Sequence, residues 1–314
     1  MKVCFVGLGS IGSRHLRNLC SLCRERSIEL EVHALRSGRS GADHGFPVPV
    51  RSFGDVNDLD DRYDVVFISN PTYLHSVALS QLGPRGDAFF VEKPIFTSLD
   101  EAGSLDRSSF EGKVFYVACP LRYHPVVAFL RERTLPDPEI KVLSVRSVCS
   151  SYLPDWRSGR DYRSIYSAMK DQGGGVALDL VHEWDYLSHL FGEPRSVMAL
   201  HRKVSSLDIS SDDLGDYLAD YGDFSLSLHL DYFGRIPRRV VEITAETDLI
   251  MADIMSSRIS WGLSGEEISF DREDIYVKEM SYFIDRILDR QDTWNGFDRA
   301  VGVLKLALTG EWLC

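Results

Sequence analysis

Residues 2–19 read KVCFVGLGSIGSRHLRNL, and the reading of this stretch decides the fold. Lys2–Val6 is a short apolar run of strand type. Gly7-Leu-Gly9-Ser-Ile-Gly12 follows at once, and Ile11, Leu16 and Leu19 then recur at helical spacing with Cys20 and Cys23. A strand, a glycine turn and a helix in this order aim backbone N–H groups and the positive end of a helix at one point. That arrangement cradles a dinucleotide pyrophosphate. Gly7, Gly9, Ser10, Ile11 and Gly12 are the candidate cradle.

Working outward, LEVHAL (30–35), DVVFIS (64–69), AFFVE (88–92) and VFYVAC (114–119) repeat the strand pattern between helical segments. DVVFIS is almost wholly apolar, as a parallel strand buried on both faces must be. Ser98-Leu-Asp-Glu101 has the spacing of a capping box at a helix start. Residues 1–120 are expected to form an α/β domain with a doubly wound parallel sheet. The rhythm then changes. A helix containing HPVVAFLRER (124–133) leads to a strand at IKVLSVRSV (140–148), and a second helix is expected over 175–191. Phe224, Leu226, Leu228 and Leu230 alternate with Ser225, Ser227, His229 and Asp231, the mark of a strand with one buried face. RVVEIT (239–244), DLIMADI (248–254) and SRISW (257–261) follow at hairpin spacing, and helices around 274–290 and 296–309 close the chain. Residues 121–314 therefore read as an α+β domain with a large, mainly antiparallel open-faced sheet, its last helices able to pack back on the first domain.

Composition sets outer limits. The 314 residues carry 35 Lys and Arg against 47 Asp and Glu, a formal charge of -12. Nucleic acid and anionic membranes are disfavoured, because phosphate-binding surfaces need a basic excess. No apolar run reaches the roughly 18 residues of a bilayer-spanning helix. The start MKVCFVGLG lacks signal-peptide features, so a cytoplasmic location is expected. Of the six cysteines, Cys20 and Cys23 have CxxC spacing without a second pair. They read as core residues, and no metal site is expected.

Cofactor choice is read where the second strand ends. An NAD site usually places an acid there to accept the ribose hydroxyls. Here Leu35 is followed by Arg36-Ser37-Gly38-Arg39, and Glu31 lies too early. Arg36, Ser37 and Arg39 suit a 2′-phosphate, which favours NADP(H), with NAD(H) possible.

GLGSIGSRHLRNL (7–19), SNPTYLH (69–75), VEKP (91–94) and GGGVALDLVHEWDYL (173–187) together resemble the Gfo/Idh/MocA oxidoreductases, the glucose–fructose oxidoreductase and inositol dehydrogenase group. The resemblance implies an N-terminal Rossmann domain, an open-faced sheet domain and hydride transfer at a sugar-type hydroxyl or keto carbon. It implies that Asn70, Pro71, His75, Glu92 and Lys93 lie at the cofactor. Lys93, just past the end of a parallel strand, is implied to be the proton donor and acceptor at the reacting oxygen. His182 is implied to be its acid/base partner, and Asp179, three residues earlier on the expected helix, to orient His182 or the substrate. The Asp-to-His step is three residues here, where many members have four. Glu183 is a lesser candidate for the same work.

The loop from Leu153 to Tyr166 interleaves Arg157, Arg160 and Arg163 with Trp156, Tyr162 and Tyr166, and with Arg122 it is the candidate substrate-binding group. Arginine pairs with carboxylate or phosphate, and aromatic faces pack on sugar rings. A subunit contact is the competing reading of this arm. Its likeness to relatives in surface-polysaccharide and amino-sugar pathways implies a sugar that is nucleotide-linked, amino or acidic. Two other readings stay open: a non-catalytic dinucleotide-sensing protein of this fold, and a glycosidase with a retained nicotinamide. A homodimer or homotetramer is expected.

Overall fold

The computed structural model describes residues 1–37, 41–43, 45–271 and 273–309. The chain forms two compact units, Met1–Ala118 with Asp274–Val301, and Cys119–Glu273 with the segment from Gly302 onward.

The first unit begins with β1 (Lys2–Val6), α1 (Ser10–Glu25), β2 (Glu31–Leu35), β3 (Gly41–Asp43) and β4 (Val50–Phe53). It continues with β5 (Val65–Ile68), α2 (His75–Leu82), β6 (Ala88–Val91), α3 (Leu99–Ser104) and β7 (Val114–Val117). The sheet order is β3-β4-β2-β1-β5-β6-β7, with every pair parallel except β3 with β4. The expected α/β fold is present. VRSF (50–53) is an additional strand beside β2 that the sequence reading passed over, and it is reached through β3 instead of a crossover helix. The box at α3 is half formed. Ser98 Oγ accepts from the Glu101 N–H at 3.4 Å, while Glu101 accepts from Thr97 instead of Ser98.

Phe5 and Phe67 stack in the sheet at 4.3 Å between ring centroids. The late helix Ile275–Asp289 sets Phe283 against Phe90 at 5.2 Å, Tyr116 at 5.8 Å and Phe67 at 6.1 Å. Its buried Glu279 accepts from the Tyr116 hydroxyl at 3.2 Å. Cys4, Cys20 and Cys23 are free thiols buried in this unit.

The second unit comprises α4 (Pro125–Phe129), β8 (Val142–Tyr152), α5 (Val176–Asp179), α6 (His182–Phe191) and β9 (Ser196–Arg202). It continues with β10 (Leu214–Asp220), β11 (Ser225–Asp231), β12 (Phe233–Ala245), β13 (Leu249–Asp253), β14 (Arg258–Trp261) and β15 (Glu267–Ser269). With Ile275–Asp289 as α7, α8 (Phe297–Thr309) runs on from the first unit into the second. The sheet order is β15-β14-β13-β12-β8-β11-β10-β9, and only β8 with β11 is parallel. The expected mainly antiparallel sheet is therefore present, with β9 and β10 added.

Alternation does what it predicts. Leu226, Leu228 and Leu230 are buried, and α6 packs Trp184, Tyr186 and Leu187 into the same layer. Trp184 meets Tyr217 of β10 edge-on at 5.3 Å. On the other face Met198, Leu200 and Leu218 are exposed, and register sets Leu218 opposite Met198.

Phe283 fills the first unit's aromatic layer, so Phe283→Ala is expected to lower stability by about 3–5 kcal/mol. Denaturant unfolding checks this. A loss below about 1 kcal/mol would mean that α7 is not part of that core.

Candidate functional site

The carboxyl ends of β1, β2, β4 and β5 open on a cleft of about 680 Å³ in the first unit. Its wall includes Gly7, Gly9, Arg36, Ser37, Asn70 and Pro71, six residues expected at the cofactor. Leu8, Gly54, Asp55 and Leu74 line it as well. Gly54 and Asp55 follow β4, a strand too short and too polar to be marked in the sequence. Arg39 lies outside the described residues. Ser10, Ile11 and Gly12 form the first turn of α1 beside the wall.

The glycines divide the work. Gly7 has φ +85°, the left-handed region, and turns the chain out of β1. A Cβ on Gly12 would lie 2.5 Å from the Gly7 carbonyl oxygen and 2.6 Å from Ser69 Oγ, so α1 packs on the strand ends only without one. Gly9 has no atom within 4 Å of its Cβ position. It caps α1 with no side-chain hydrogen bond, and the first turn carries no acid. Orphan N–H groups at an uncrowded helix start suit an anion. Asn70 Oδ1 is buried without a partner among the described residues, an acceptor available to a ligand in the cleft. The donor set fits a dinucleotide.

Two residues expected at the cofactor stand behind it. His75 is fully buried, with Nδ1 3.1 Å from the Ile95 carbonyl and Nε2 3.0 Å from that of Asn70. Its ring ties two loops together, and burial lowers its pKa against the pull of those carbonyls. Glu92 is buried and accepts from His15 Nε2 at 2.5 Å and from the Lys93 N–H at 3.2 Å. Burial works to raise its pKa, but the His15 hydrogen bond and charge and the Lys93 charge leave it below the usual value. The pair clamps α1 to the turn that carries Lys93. Lys93 is half-buried and joined to Pro94 by a cis peptide.

In the second unit the expected helix over 175–191 is two helices, α5 and α6, separated at Leu180 and Val181. The interruption falls between Asp179 and His182, so the two residues belong to different helices. The buried Asp179 accepts from the Tyr232 hydroxyl at 2.5 Å. Burial and the Asp179 charge push the phenols of Tyr232 and Tyr166 up. Tyr232 carried no sequence signal, because it meets Asp179 only through the fold. His182, half-buried, opens α6.

Arg122 was expected to reach substrate. It is buried, and its Nε and Nη2 donate to Asp185 at 2.8 and 2.6 Å, a two-pronged pair that an interior guanidinium requires. Glu183 is likewise engaged: it accepts from Tyr186 at 2.6 Å and lies 2.9 Å from Arg239 Nε. In the arm, Arg163 pairs with Asp161 at 2.7 Å, and the Tyr162 hydroxyl accepts from the Asp208 N–H at 3.1 Å. The first holds the arm's own shape, and the second ties it to the chain at Asp208. Trp156 donates to Ser151 Oγ at 2.9 Å and meets Tyr232 edge-on at 5.1 Å. Arg157 and Arg160 are exposed and make no ion pair among the described residues.

Among the described residues one group has metal-ligand geometry, Glu31, His33 and Asp60 at the start of β2. The Lys2 ammonium bonds Asp60 and lies 3.5 Å from Glu31, so a cation is already seated there. No helix of the described residues is long and apolar enough to cross a membrane.

A parallel sheet with a glycine turn, an open helix start and a cleft at its carboxyl ends defines a dinucleotide-binding α/β unit. Residues 1–117 match the model of the Gfo/Idh/MocA family, described as an oxidoreductase family with an NAD-binding Rossmann fold. The 2,7-anhydro-N-acetylneuraminate hydratase of Escherichia coli is 26% identical over 131 residues, 41% of this chain and 34% of that protein. The scyllo-inositol 2-dehydrogenase (NAD(+)) of Bacillus subtilis is 21% identical over 231 residues, 73% of this chain and 62% of that protein. The matched stretches thus span less than two thirds of these relatives. A levoglucosan dehydrogenase in complex with NADH and levoglucosan superposes with TM-score 0.79 at 16% identity, covering 98% of this chain and 95% of the other. A UDP-N-acetylglucosamine 3-dehydrogenase from Acidithiobacillus ferrooxidans gives 0.76 at 18%, over 98% and 95%. At such identities the likeness is one of fold.

The two glycines give opposite expectations. Gly9→Ala leaves unfolding within about 0.5 kcal/mol but weakens dinucleotide binding, because its side chain enters only the ligand's space. Gly12→Ala lowers both stability and binding, because it separates α1 from the strands. Calorimetric titration with NADPH and NADH, beside denaturant melts, checks the contrast. Equal stability of the two variants would contradict it.

Proposed function

We propose that the protein is an NADP(H)-dependent oxidoreductase acting at a CH–OH or keto carbon of a sugar or sugar derivative. The observation that carries this reading is the cleft at the strand ends, with Arg36 and Ser37 on its wall where β2 finishes. Gly9 and the open start of α1 take the pyrophosphate, and Arg36 with Ser37 takes the 2′-phosphate. Asn70 Oδ1 accepts a hydrogen bond from the cofactor. The nicotinamide, when bound, supplies hydride exchange. Lys93 holds and moves the proton at the substrate oxygen, His182 serves as a second proton donor and acceptor, and Asp179 fixes a substrate hydroxyl. Glu92 and Asp185 act as positioning residues, the first through the turn at Lys93 and the second through α6.

NAD(H) is the competing cofactor, favoured by Asp55 on the same wall as an acceptor for ribose hydroxyls. Arg36→Ala decides between them. With NADP(H) as the cofactor, the NADPH-over-NADH preference falls by about tenfold or more; an unchanged preference assigns the site to NAD(H).

Lys93→Ala and His182→Ala are each expected to lower turnover by about 10²–10⁴-fold while cofactor affinity stays nearly constant. A panel of sugars followed by NADPH absorbance measures the first, and calorimetry the second. Full turnover in both variants would remove these residues from the mechanism.

We also propose that two copies pair through the open sheet face, where Met198, Leu200 and Leu218 form an exposed apolar patch. Sedimentation at micromolar concentration should find a dimer, and Leu218→Glu should shift it toward monomer. A wild-type monomer would rule the pairing out.

A further inference from the structure

Asp179 is only 5% exposed, and a carboxylate taken this far out of water picks up a proton unless donors replace its hydration. The structure supplies such a donor. The Tyr232 hydroxyl stands 2.5 Å from Asp179 Oδ2, in the range of an O–H on a charged oxygen. Tyr232 is itself fully buried. Burial and the Asp179 charge hold its phenol well above the ordinary value, so the shared proton stays on Tyr232 and the charge on Asp179.

Several elements of the second unit fix Tyr232 in place. Its N–H donates to the Asp213 carbonyl at 3.1 Å, and its own carbonyl accepts from the Leu153 N–H at 2.9 Å. Asp231 closes the corner between β11 and β12. Its Oδ1 accepts from the N–H groups of Phe233 at 2.9 Å and Gly234 at 2.6 Å. A Cβ at position 234 would collide with Ser150 Oγ, so the corner packs tightly on β8. Trp156 meets the Tyr232 ring edge-on at 5.1 Å, and its indole N–H is tied to Ser151 Oγ at 2.9 Å. With backbone and ring both held, the hydroxyl is set against Asp179 in advance of any ligand. A phenylalanine would fill the same space and keep the same aromatic contact. The hydroxyl is thus the part of this residue that packing does not call for.

We propose that Tyr232 is a positioning residue of the oxidoreductase site, keeping Asp179 ionised and in one orientation so that the carboxylate accepts a hydrogen bond from a substrate hydroxyl. This rests on the reading of Asp179 given above. It goes further by naming the group through which that carboxylate keeps its charge. Tyr232 is fully buried and acts through Asp179, not on the substrate. A protonated Asp179 offers an O–H where a charged acceptor is needed, and it holds the hydroxyl less tightly. Removing the phenol O–H takes away a hydrogen bond to the charged form, so the Asp179 carboxyl takes up its proton at higher pH. Burial and the Asp179 charge also raise the Tyr166 phenol, so Tyr166 and Tyr232 both keep their protons through the neutral range.

The test uses the whole protein with NADP(H) present. Carbon NMR of aspartate-labelled protein follows the Asp179 carboxyl, assigned by its loss in Asp179→Asn. Tyr232→Phe should raise the titration midpoint of that carboxyl by about one pH unit or more. Tyr232→3-fluorotyrosine, a stronger donor of nearly the same shape, should lower it, which keeps the test open if Tyr232→Phe folds poorly. Steady-state kinetics use D-glucose, D-glucuronate and N-acetyl-D-glucosamine as probes. For the probe turned over fastest, Tyr232→Phe should raise KM about tenfold while kcat changes less than about threefold. The acid limb of kcat/KM should move up with the carboxyl, and in the Asp179→Asn background Tyr232→Phe should add little further loss. A merely structural Tyr232 would instead lower the melting temperature and kcat for every probe with the acid limb unmoved, which overturns the proposal. An Asp179 midpoint unmoved in both variants also overturns it, as does a moved midpoint with unchanged KM. If the midpoint moves but no probe is turned over, the oxidoreductase reading fails and the control of Asp179 by Tyr232 stands.

Discussion

The contact on which the first unit depends is the approach of Gly12 to the ends of β1 and β5. The Gly7 carbonyl and Ser69 Oγ occupy the space a side chain at position 12 would need. Ser69 Oγ also donates to that carbonyl at 2.8 Å, so the turn and the end of β5 are joined beneath the helix. Because α1 can sit this low, its uncapped start faces the cleft, and His15 on its inner side reaches Glu92 at the end of β6. One missing methyl group thus sets the distance from the phosphate cradle to the turn of Lys93. A helix lifted by even 1 Å would lose both the short His15–Glu92 bond and the packing of Leu16 and Leu19.

In the second unit the comparable constraint is ionic. The first turn of α6 carries Glu183 and Asp185, both buried, and each meets an arginine from a different element. Acids at a helix start are favoured by the helix dipole, but burying two such pairs gains little stability once desolvation is counted. The Arg239–Glu183 contact is close yet poorly aligned as a hydrogen bond, so it holds chiefly by charge. Breaking either pair leaves a naked interior charge, which is strongly unfavourable. The pairs therefore restrict rotation of α6 more than they add stability. His182, adjacent to Glu183 and on the same turn, inherits that restriction.

Much of this was legible in the sequence, and the exceptions have physical causes. β1, β5 and β6 were readable because strands buried on both faces leave apolar runs, and β11 because burial on one face leaves alternation. VRSF was missed because four residues with two polar members carry too little pattern, and β9 because its residues are largely exposed. The unbroken helix over 175–191 was misread because composition marks helical residues but not a two-residue interruption at Leu180. Arg122 was read as a candidate substrate-binding residue, and its pairing with Asp185 was not foreseen because the partner is 63 positions away. Pairing across such a distance is decided by topology. The glycine turn and Arg36 line the cleft because each stands just past the end of a parallel strand that its own apolar run marks in the sequence.

The same distinction sharpens the meaning of the charge of -12. Net charge acts over distance, and at physiological salt exposed charges are screened beyond about 8 Å. A polymeric phosphate backbone needs a basic surface many such lengths long, and an acidic chain does not offer one. A small anion needs only one or two fixed donors within hydrogen-bond reach, where the local field exceeds the screened average. Buried arginines such as Arg122 are matched by carboxylates and add nothing to that field. Overall acidity and local anion binding are therefore compatible within one chain.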